Sequence, residues 1–550
     1  MIQQEPADLL ITNGTVVTVD DTLPEAQAVA VRGDRIVALG AAADLRRYVG
    51  PSTEVIDVQG QLVIPGFIEG HGHFMGVGEA QLNLKLMSTT SWDQIVSMVA
   101  DAAKTAKPGE WIIGRGWHQE KWTSRPSPNV EGFPTHASLD AVSPNNPVLL
   151  THASGHASFV NAKAMEVSDI NRSTPNPAGG EILKDAAGNP TGLLRETASG
   201  LVHTGRGDAT RARKALELAS QEALSKGVTS FQDAGSSFAT IDVMKQMIDQ
   251  RQIGVRLWVM VREGNEREAP LLSKYRTIDY GQSHLTVRAI KRQIDGALGS
   301  RGAWLLEPYS DKPESAGLNT TSIADITETA RLAMAHDYQL CVHAIGDRAN
   351  RETLNIFEQA FKANPSKRDL RWRIEHAQHL SAQDIPRFGQ LGVIASMQGI
   401  HCTSDAPYVI ERLGAKRAEE GAYVWQKLMK SGAVVSNGTD APVEDVDPIA
   451  NYYATVSRKT KGGKVFYPDQ RMNRMEALKS YTLSAAYAAF EEGSRGSLKV
   501  GKLADVTVLS KDITAIPEDE IPTAHVSYTI VGGKVLYERD KGKGTRDKGR

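Results

Sequence analysis

The stretch Leu62-Val63-Ile64-Pro65-Gly66-Phe67-Ile68-Glu69-Gly70-His71-Gly72-His73 decides the fold. Its apolar part is typical of a buried β-strand, and it ends in two histidines separated by one residue. Because side chains two apart in an extended segment point to the same face, His71 and His73 should project together from a strand end. The pair could be half of a metal site or simply two loop histidines, and the pattern alone leaves both open.

The composition narrows the class of protein. The chain has 550 residues, which is too long for one ordinary core. Apolar residues make up 41% and charged residues 23%, as in soluble globular proteins. The 63 lysines and arginines nearly balance the 65 acidic residues, so the charge suggests neither a nucleic-acid nor a membrane partner. A homodimer is the default expectation for the assembly.

The cysteines and the N-terminal residues indicate the cellular compartment in which the protein is expected. Cys341 and Cys402 are far apart, which argues against a disulfide framework or a thiolate metal cluster and fits a reducing cytoplasm. Residues 1–8 lack the basic start and apolar core of a signal peptide, and no apolar run approaches about 18 residues. We expect a cytoplasmic protein, although a signal already removed from a precursor would be invisible. The basic tail 539–550 is expected to be a solvated terminus.

Both ends of the chain are rich in short β-branched runs. In residues 1–66 these runs are separated by Asn13-Gly14 and Gly33-Asp34, which tolerate positive φ and predict hairpins in a small antiparallel unit. The C-terminal residues 491–550 repeat this style. Two such ends flanking a different middle predict one composite β-sandwich.

The middle of the chain, residues 67–490, alternates short apolar strands with helical stretches. Repeated strand–helix units predict a parallel sheet, and their number favours an α/β fold with a closed (β/α)8, TIM-like barrel. The Pro/Gly/Asn-rich segment of about 87–207 breaks this rhythm and is too long for a loop. We expect it to be an insertion folded over the mouth of the barrel, where it would shape substrate access.

Further ionisable residues lie near predicted strand ends, where barrels of this kind carry their functional groups. They are Lys291, which begins an extended run ending in Asp295, then His343, His376 and Asp440. Taken singly, each could be a buried histidine, a surface charge or a turn residue. Imidazole and carboxylate groups suit zinc and similar ions, so together with the first histidine pair they predict a metal centre. A lysine ammonium has no lone pair, so Lys291 could be a ligand only as a carbamate formed with carbon dioxide.

The ordered set of these residues resembles the amidohydrolase superfamily, and the fuller text is similar to its third family, the YtcJ-like metal-dependent hydrolases that include N-substituted formamide deformylases. The matching phrases are Pro65-Gly66-Phe67-Ile68, His156-Ala157-Ser158-Phe159-Val160-Asn161, Lys291 through Asp295-Gly296-Ala297-Leu298-Gly299-Ser300-Arg301, His343-Ala344-Ile345-Gly346-Asp347, Arg373-Ile374-Glu375-His376, Ser396-Met397-Gln398, Asp440-Ala441-Pro442-Val443 and the run from Gly496 to Asp505. The resemblance covers almost the whole chain. Departures are Glu69 in place of a more usual aspartate, polar Arg292 and Gln293 after Lys291, and an unexpected His152.

The resemblance implies a mono- or dinuclear centre, most simply of Zn²⁺, and hydrolysis of a non-peptide C–N bond of a small-molecule substrate, an amide or N-substituted formamide, by metal-activated hydroxide. In that scheme the first metal is held by His71, His73 and Asp440, the second by His343 and His376, and carboxylated Lys291 bridges them. Asp440 would also transfer the proton to the leaving nitrogen. His156 would lie in the substrate pocket and stabilise the oxyanion.

Other functions fit the same scaffold. A deaminase of a heterocycle or an esterase or lactonase would use similar equipment, and a metal-binding protein without catalysis is the remote alternative. The substrate is also open. The aromatic residues Trp111, Trp117, Trp122, Phe133, Trp304 and Tyr309 either line a pocket for an apolar or aromatic substituent or form cores of their own.

Overall fold

Eight parallel strands form a nearly closed barrel at the centre of the computed structural model, which describes residues 5–203 and 209–539. The strands are β1 (Phe67–Gly72), β2 (Val228–Ser236), β3 (Arg256–Val261), β4 (Leu285–Gln293), β5 (Gln339–Ala344), β6 (Arg373–His376), β7 (Ile394–Met397) and β8 (Val435–Asn437). Each pairs in parallel with the next along the chain. Strands such as β3 are buried along their whole length, as expected when helices cover a parallel sheet. The predicted α/β barrel is confirmed.

The seam of the barrel lies between β8 and β1. Just beyond β8, the backbone N–H of Asp440 donates to the carbonyl of His71 at 2.7 Å, and that of His73 donates to Ala441 at 2.6 Å. Two glycines permit this approach. A Cβ at Gly70 would lie 2.3 Å from the carbonyl oxygen of Asn437, and one at Gly438 would lie 2.4 Å from the nitrogen of His71.

Helices surround the barrel and follow most of its strands. They are Phe74–Leu82, Ala209–Ser225, Phe238–Asp249, Asn265–Glu268, Leu272–Tyr275, Ile323–His336, Asp347–Ala363, Ile385–Leu391, Gly399–Leu413, Ala415–Gly421, Trp425–Lys430, Pro448–Ser457, Arg474–Ser480 and Leu483–Ala488. Several begin with a side-chain cap; the hydroxyl of Ser237, for example, accepts from the N–H of Thr240. Asp347–Ala363 shows how they pack, because Ala349, Leu354 and Phe357 on one face are buried.

Two β-sheets are built from the ends of the chain. One has the order Arg35–Gly40, Ala28–Arg32, Leu9–Thr12 and Glu54–Asp57. The other has the order Lys534–Glu538, Val526–Val531, Val506–Leu509, Leu62–Pro65, Thr15–Val17 and Glu25–Ala26, and so joins N- and C-terminal strands. Apolar residues of both sheets, among them Ile11 and Val508, share one buried cluster.

The insertion carries a separate six-stranded sheet. Its order is Gly180–Lys184, Pro190–Glu196, Ala157–Val160, Val148–His152, Ile112–Trp117 and Leu84–Lys85. The helices Trp92–Ala103, Ala137–Val142 and Ala162–Val167 lie in the same segment, with the short pair Asn129–Val130 and Phe133–Pro134. The expected end of the insertion at residue 207 falls outside the described residues, as do residues 540–550 of the basic tail.

Some local predictions were wrong. Asn13-Gly14 does not close a hairpin, because the strands on its two sides enter different sheets, whereas Gly33-Asp34 does. The N-terminal unit is also not purely antiparallel, since Leu9–Thr12 pairs in parallel with Glu54–Asp57. Lys291 does not begin a strand but is the seventh of nine residues in β4, which moves it to the C-terminal end of the barrel.

Both cysteines, Cys341 and Cys402, are buried and free. Among the described residues, no helix combines the length and the apolar character needed to cross a membrane.

A buried ion pair joins the barrel to the C-terminal sheet. The guanidinium of Arg256 on β3 donates to both oxygens of Asp505 at 2.8 and 3.0 Å, and the N–H of Gly532 donates to the same carboxylate. The two charged side chains are only 1% and 4% exposed. Burial alone would raise the pKa of Asp505, but Arg256 outweighs it and holds this pKa below its ordinary value.

Replacing Asp505 with asparagine should therefore destabilise the fold, because the Arg256 guanidinium would stay buried without its counter-charge. We expect a loss of about 3–5 kcal/mol in the free energy of unfolding, measured by chemical denaturation. Asp101→Asn is the matched control, since Asp101 forms an exposed pair with Lys104 that is worth about 0–1 kcal/mol. Equal losses in the two variants would contradict the structural role of the buried pair.

Candidate active site

The histidines of the first motif face Asp440 across the seam of the barrel. His71 is the penultimate residue of β1, and His73 follows the strand. The Nε2 atoms of His71 and His73 lie 3.4 and 3.2 Å from Oδ1 of Asp440. The expectation that the two side chains project together agrees with this geometry.

Three more predicted residues join them from the next strands. His376 ends β6, and its ring centroid lies 4.7 Å from that of His71 and 4.5 Å from that of His343 on β5. Nζ of Lys291 lies 3.5 Å from Nε2 of His71. The donor atoms of His71, His376 and Asp440 all lie within 4.8 Å of one another.

The seventh predicted residue, His156, reaches the site from the insertion. Its ring centroid lies 5.3 Å from that of His343, and its Nδ1 is 2.8 Å from Oε2 of Glu196. Burial alone would lower the pKa of His156, but Glu196 outweighs burial and raises it. The structure thus brings every predicted site residue to one place.

These groups surround a cavity of about 410 Å³. It is lined by His73, Gly76, Arg115, Ser154, Gly155, His156, Glu196, Thr197, Arg262, Lys291, Gln293, Thr320, Thr321, His343, His376, Asp440, Pro442 and Val443. The barrel supplies the floor, whereas the insertion supplies one wall through Arg115, Ser154 and residues near His156. A cavity of this volume is suited to a small molecule.

The aromatic residues do not line this cavity. Trp117, Trp122 and Phe133 belong to a core inside the insertion, and Trp111 packs against a second core there. Tyr309 is buried in the barrel core. The alternative in which these residues form cores of their own is the one that the structure supports.

Burial favours the neutral form of three site imidazoles, those of His73, His343 and His376. It lowers the pKa of His73 to about 4, although Asp440 partly opposes the shift. It also holds the pKa of His343 and of His376 well below the ordinary value. A neutral imidazole has a free nitrogen lone pair, which is the form that binds metals.

The hydrogen bonds behind the histidines fix which nitrogen faces the cavity. Nδ1 of His71 donates to Glu375, and Nδ1 of His376 donates to the side-chain oxygen of Gln398 at 2.7 Å. In both rings the lone pair therefore lies on Nε2. Such outer partners orient and strengthen metal-binding histidines.

The donor set fits a cation. Oδ1 of Asp440 and Nε2 of His343 are buried and have no hydrogen-bond partner among the described residues. The carboxylate oxygen and the two imidazole nitrogens, 3.2–3.4 Å apart, are close enough to bind one cation together. Two or more imidazole nitrogens with a carboxylate oxygen are a zinc-type ligand set.

Lys291 is enclosed beside these groups. Its side chain is buried, and it has no carboxylate within 4.0 Å in the part of the chain that the structure describes. Burial lowers the pKa of its ammonium to about 8, although Glu375 partly opposes the shift.

Several supporting residues had no role in the sequence prediction. Glu375 and Asp295 stood inside the matching phrases, and their positions beside strand ends were an available signal. Asp295 accepts the N–H groups of Trp304, Ile345 and Gly346 at 2.8–3.0 Å, and burial raises its pKa to about 7. Nothing in the sequence signalled Arg115 or Arg262, which line the cavity from separate segments.

Fold and site together define the class of metal-dependent barrel hydrolases. A profile described as the amidohydrolase family matches residues 54–537, and the chain therefore belongs to that family.

Its relatives match over nearly the full length. The chain is 34% identical to the protein LONG AFTER FAR-RED 3 of Arabidopsis thaliana, over 96% of this chain and 92% of that one. It is 31% identical to the putative amidohydrolase YtcJ of Bacillus subtilis, over 96% and 98%. It is 28% identical to the N-substituted formamide deformylase of Arthrobacter pascens, over 97% and 98%. The resemblance found in the sequence is confirmed.

A solved structure shares the fold. An uncharacterized metal-dependent hydrolase of Pyrococcus horikoshii superposes with a TM-score of 0.76 at 24% identity, covering 93% of this chain and 99% of that one.

The hydrogen bond between His376 and Gln398 should be needed for tight metal binding. Gln398→Met removes the acceptor for Nδ1 at nearly constant volume, so the ring loses its fixed tautomer and orientation. We expect the affinity for Zn²⁺ to fall about 10–100-fold, measured by competition with a chelating dye. Gln390→Met on the exposed face of Ile385–Leu391 is the control, and identical affinities in both variants would argue against this role of Gln398.

Proposed function

We propose that the protein hydrolyses the C–N bond of a small amide in a metal-dependent reaction, with N-substituted formamides as the first class to test. The observation that carries the proposal is the convergence of the histidines, Asp440 and Lys291 around one cavity at the C-terminal ends of the barrel strands. The full-length similarity to a formamide deformylase supports the choice of bond. A hydrolase that cleaves another type of bond, such as an ester, would need the same metal centre.

The residues that would hold metal follow from the distances. His71, His376 and Asp440 form the tightest group, and His73 adds a second imidazole beside the same carboxylate oxygen. His343, with its unpartnered Nε2, lies next to His376. A bound divalent ion such as Zn²⁺ would lower the pKa of water from about 15.7 to about 7 and polarise the substrate carbonyl.

Lys291 would join the ligands as a carbamate. Its Nζ lies 3.5 Å from Nε2 of His71, so a carbamate formed there would supply carboxylate-type oxygens beside the histidines that would hold the metal. The protein environment around it is buried, so a bare ammonium there would be costly beside bound cations. This assignment extends the ligand set from one ion to two.

Asp440 has a second task beside holding an ion. The oxygen that faces the cavity accepts the proton of the attacking water and passes it to the amide nitrogen, because an amine leaves poorly unless it is protonated. Asp440 must begin as the anion in order to accept that proton.

His156 contributes from the insertion side. Glu196 fixes its Nδ1, which leaves Nε2 to donate to the oxygen of the carbonyl as negative charge develops there. Because Glu196 raises the pKa of His156, the imidazolium is favoured and the charge stabilisation is strengthened.

We also propose a domain organisation. The two sheets of residues 1–66 and 491–550 share an apolar cluster, which supports a sandwich of two layers. The barrel would then occupy residues 67–490 with the insertion at about 87–207. Limited proteolysis tests these domain boundaries, because exposed junctions between domains are cut before the domains themselves.

Asp440→Asn should abolish most of the activity. We expect kcat to fall by about 10²–10⁴-fold on a formamide substrate, since an amide side chain cannot accept the proton. The measurement is formate release, with bound metal determined by mass spectrometry of the same preparation. Asp469→Asn, at an exposed site, should keep wild-type turnover. Full activity of Asp440→Asn at unchanged metal content would overturn the assigned role.

Lys291→Ala tests the carbamate. The variant should lose bound metal and activity, and a short carboxylic acid such as propionate should restore part of both by supplying two oxygens. Lys214→Ala, which removes a half-exposed lysine paired with Glu217, should need no rescue. Unchanged metal content, or loss of activity that no carboxylic acid relieves, would speak against a bridging carbamate.

A further inference from the structure

Polar side chains make up most of the cavity lining. Among the described residues that line it, only Pro442 and Val443 contribute an apolar side chain. The others are two glycines and residues with hydroxyl, amide, imidazole or charged side chains. A lining in which polar groups predominate favours a substituent that can form hydrogen bonds or ion pairs.

The lining contains charged side chains of both signs. Its two carboxylates, Glu196 and Asp440, both face histidines at short distance. Its cations are Arg115 and Arg262, since Lys291 would be an anionic carbamate in the proposed centre. Two bound divalent ions would add more positive charge than the carbamate and the two carboxylates carry, so the loaded cavity favours an anionic ligand.

Several contacts hold the side chain of Arg262 at the cavity rim. It directly follows β3, its side chain is exposed toward the cavity, and its Nη2 donates to the side-chain oxygen of Gln293 at 3.0 Å. The aliphatic part of the Arg262 side chain packs against Gly235. A Cβ atom added at Gly235 would lie 2.8 Å from Cδ and 2.9 Å from Cβ of Arg262. Within residues 5–203 and 209–539, no carboxylate lies within 4.0 Å of its guanidinium nitrogens.

Arg115 approaches the same cavity from the insertion. Its Nε and Nη2 donate to the carbonyls of Pro442 and Ala153 at 3.4 and 3.3 Å, which holds the guanidinium near the segment that follows Asp440. The two arginines therefore reach the cavity from independent elements of the chain. Guanidinium groups bind carboxylates with paired hydrogen bonds.

We propose that the substrate is an amide that carries a carboxylate on the amine side, and that Arg262, with Arg115, binds this carboxylate. The inference rests on the proposed amide hydrolysis and adds a substrate class to it. Arg262 is a specificity-determining residue in this scheme. The scissile bond would lie over Asp440 while the carboxylate lies at the rim.

The experiment compares matched substrates on the zinc-loaded protein. N-Formylglycine, N-formyl-β-alanine and N-formyl-4-aminobutyrate are each measured against the corresponding primary carboxamide, and the assay detects formate alone. The wild type should show kcat/KM at least about 10-fold higher for one of the carboxylates, as a charge-assisted contact predicts. N-Formyl-2-aminoethylphosphonate distinguishes a phosphonate site, and a clear preference for it would overturn the carboxylate class.

Variants then test the arginine. Arg262→Gln should reduce the carboxylate-to-carboxamide ratio about 10-fold or more, Arg262→Lys should keep part of it, and Arg331→Gln, at an exposed surface pair, should keep all of it. A ratio near one in the wild type, or a ratio that survives in Arg262→Gln, would overturn the inference.

These measurements distinguish failure of the proposed substrate class from failure of the proposed amide hydrolysis. Hydrolysis of the neutral carboxamides without preference for the carboxylates would reject only the substrate class. If no compound is hydrolysed, amide hydrolysis fails, and the same pairs serve as ligands in isothermal titration. Tighter binding of the carboxylate that Arg262→Gln removes would then support the inference. Equal or undetectable binding of both members would reject it.

Discussion

A buried ion pair inside the barrel supports the candidate active site. Arg373 and Glu375 lie on β6 with no solvent exposure, and Nε of Arg373 is 2.7 Å from Oε1 of Glu375. Burying two charges is costly unless further hydrogen bonds satisfy them. Arg373 donates to the carbonyl of Gly70 and to the side chains of Gln232 and Ser396. Four strands are thus connected through one guanidinium.

The same pair determines the state of the first histidine. Burial alone would raise the pKa of Glu375, but Arg373 and His71 outweigh it and hold that pKa far below its ordinary value. A permanent carboxylate keeps the proton of His71 on Nδ1, so its Nε2 lone pair faces the cavity. The ligand geometry at the cavity floor therefore depends on a charge that lies one layer deeper in the barrel.

The seam and the insertion add the remaining parts of the site. Gly70 lets β8 approach β1, and the backbone bond from Asp440 to His71 then sets the carboxylate against both histidines of the first motif. The insertion closes the opposite side with His156 and Arg115. The barrel and the insertion thus both contribute side chains to the cavity.

The sequence by itself determined the barrel and the residues of its rim. Strand–helix alternation is a local periodic signal, and parallel strands in a barrel end at one rim, so His71, His343, His376 and Asp440 could be grouped without coordinates. It misplaced Lys291 within its strand, because a fully buried strand has no alternating pattern that marks where it begins.

Only the tertiary structure decided what surrounds those residues. The aromatic residues of the insertion could line a pocket or form a core, and packing placed them in cores away from the cavity. Arg115 and Arg262 are far apart in sequence and belong to no motif, yet they line the same space. Such contacts depend on how an insertion folds against a barrel, and local periodicity carries no information about that packing.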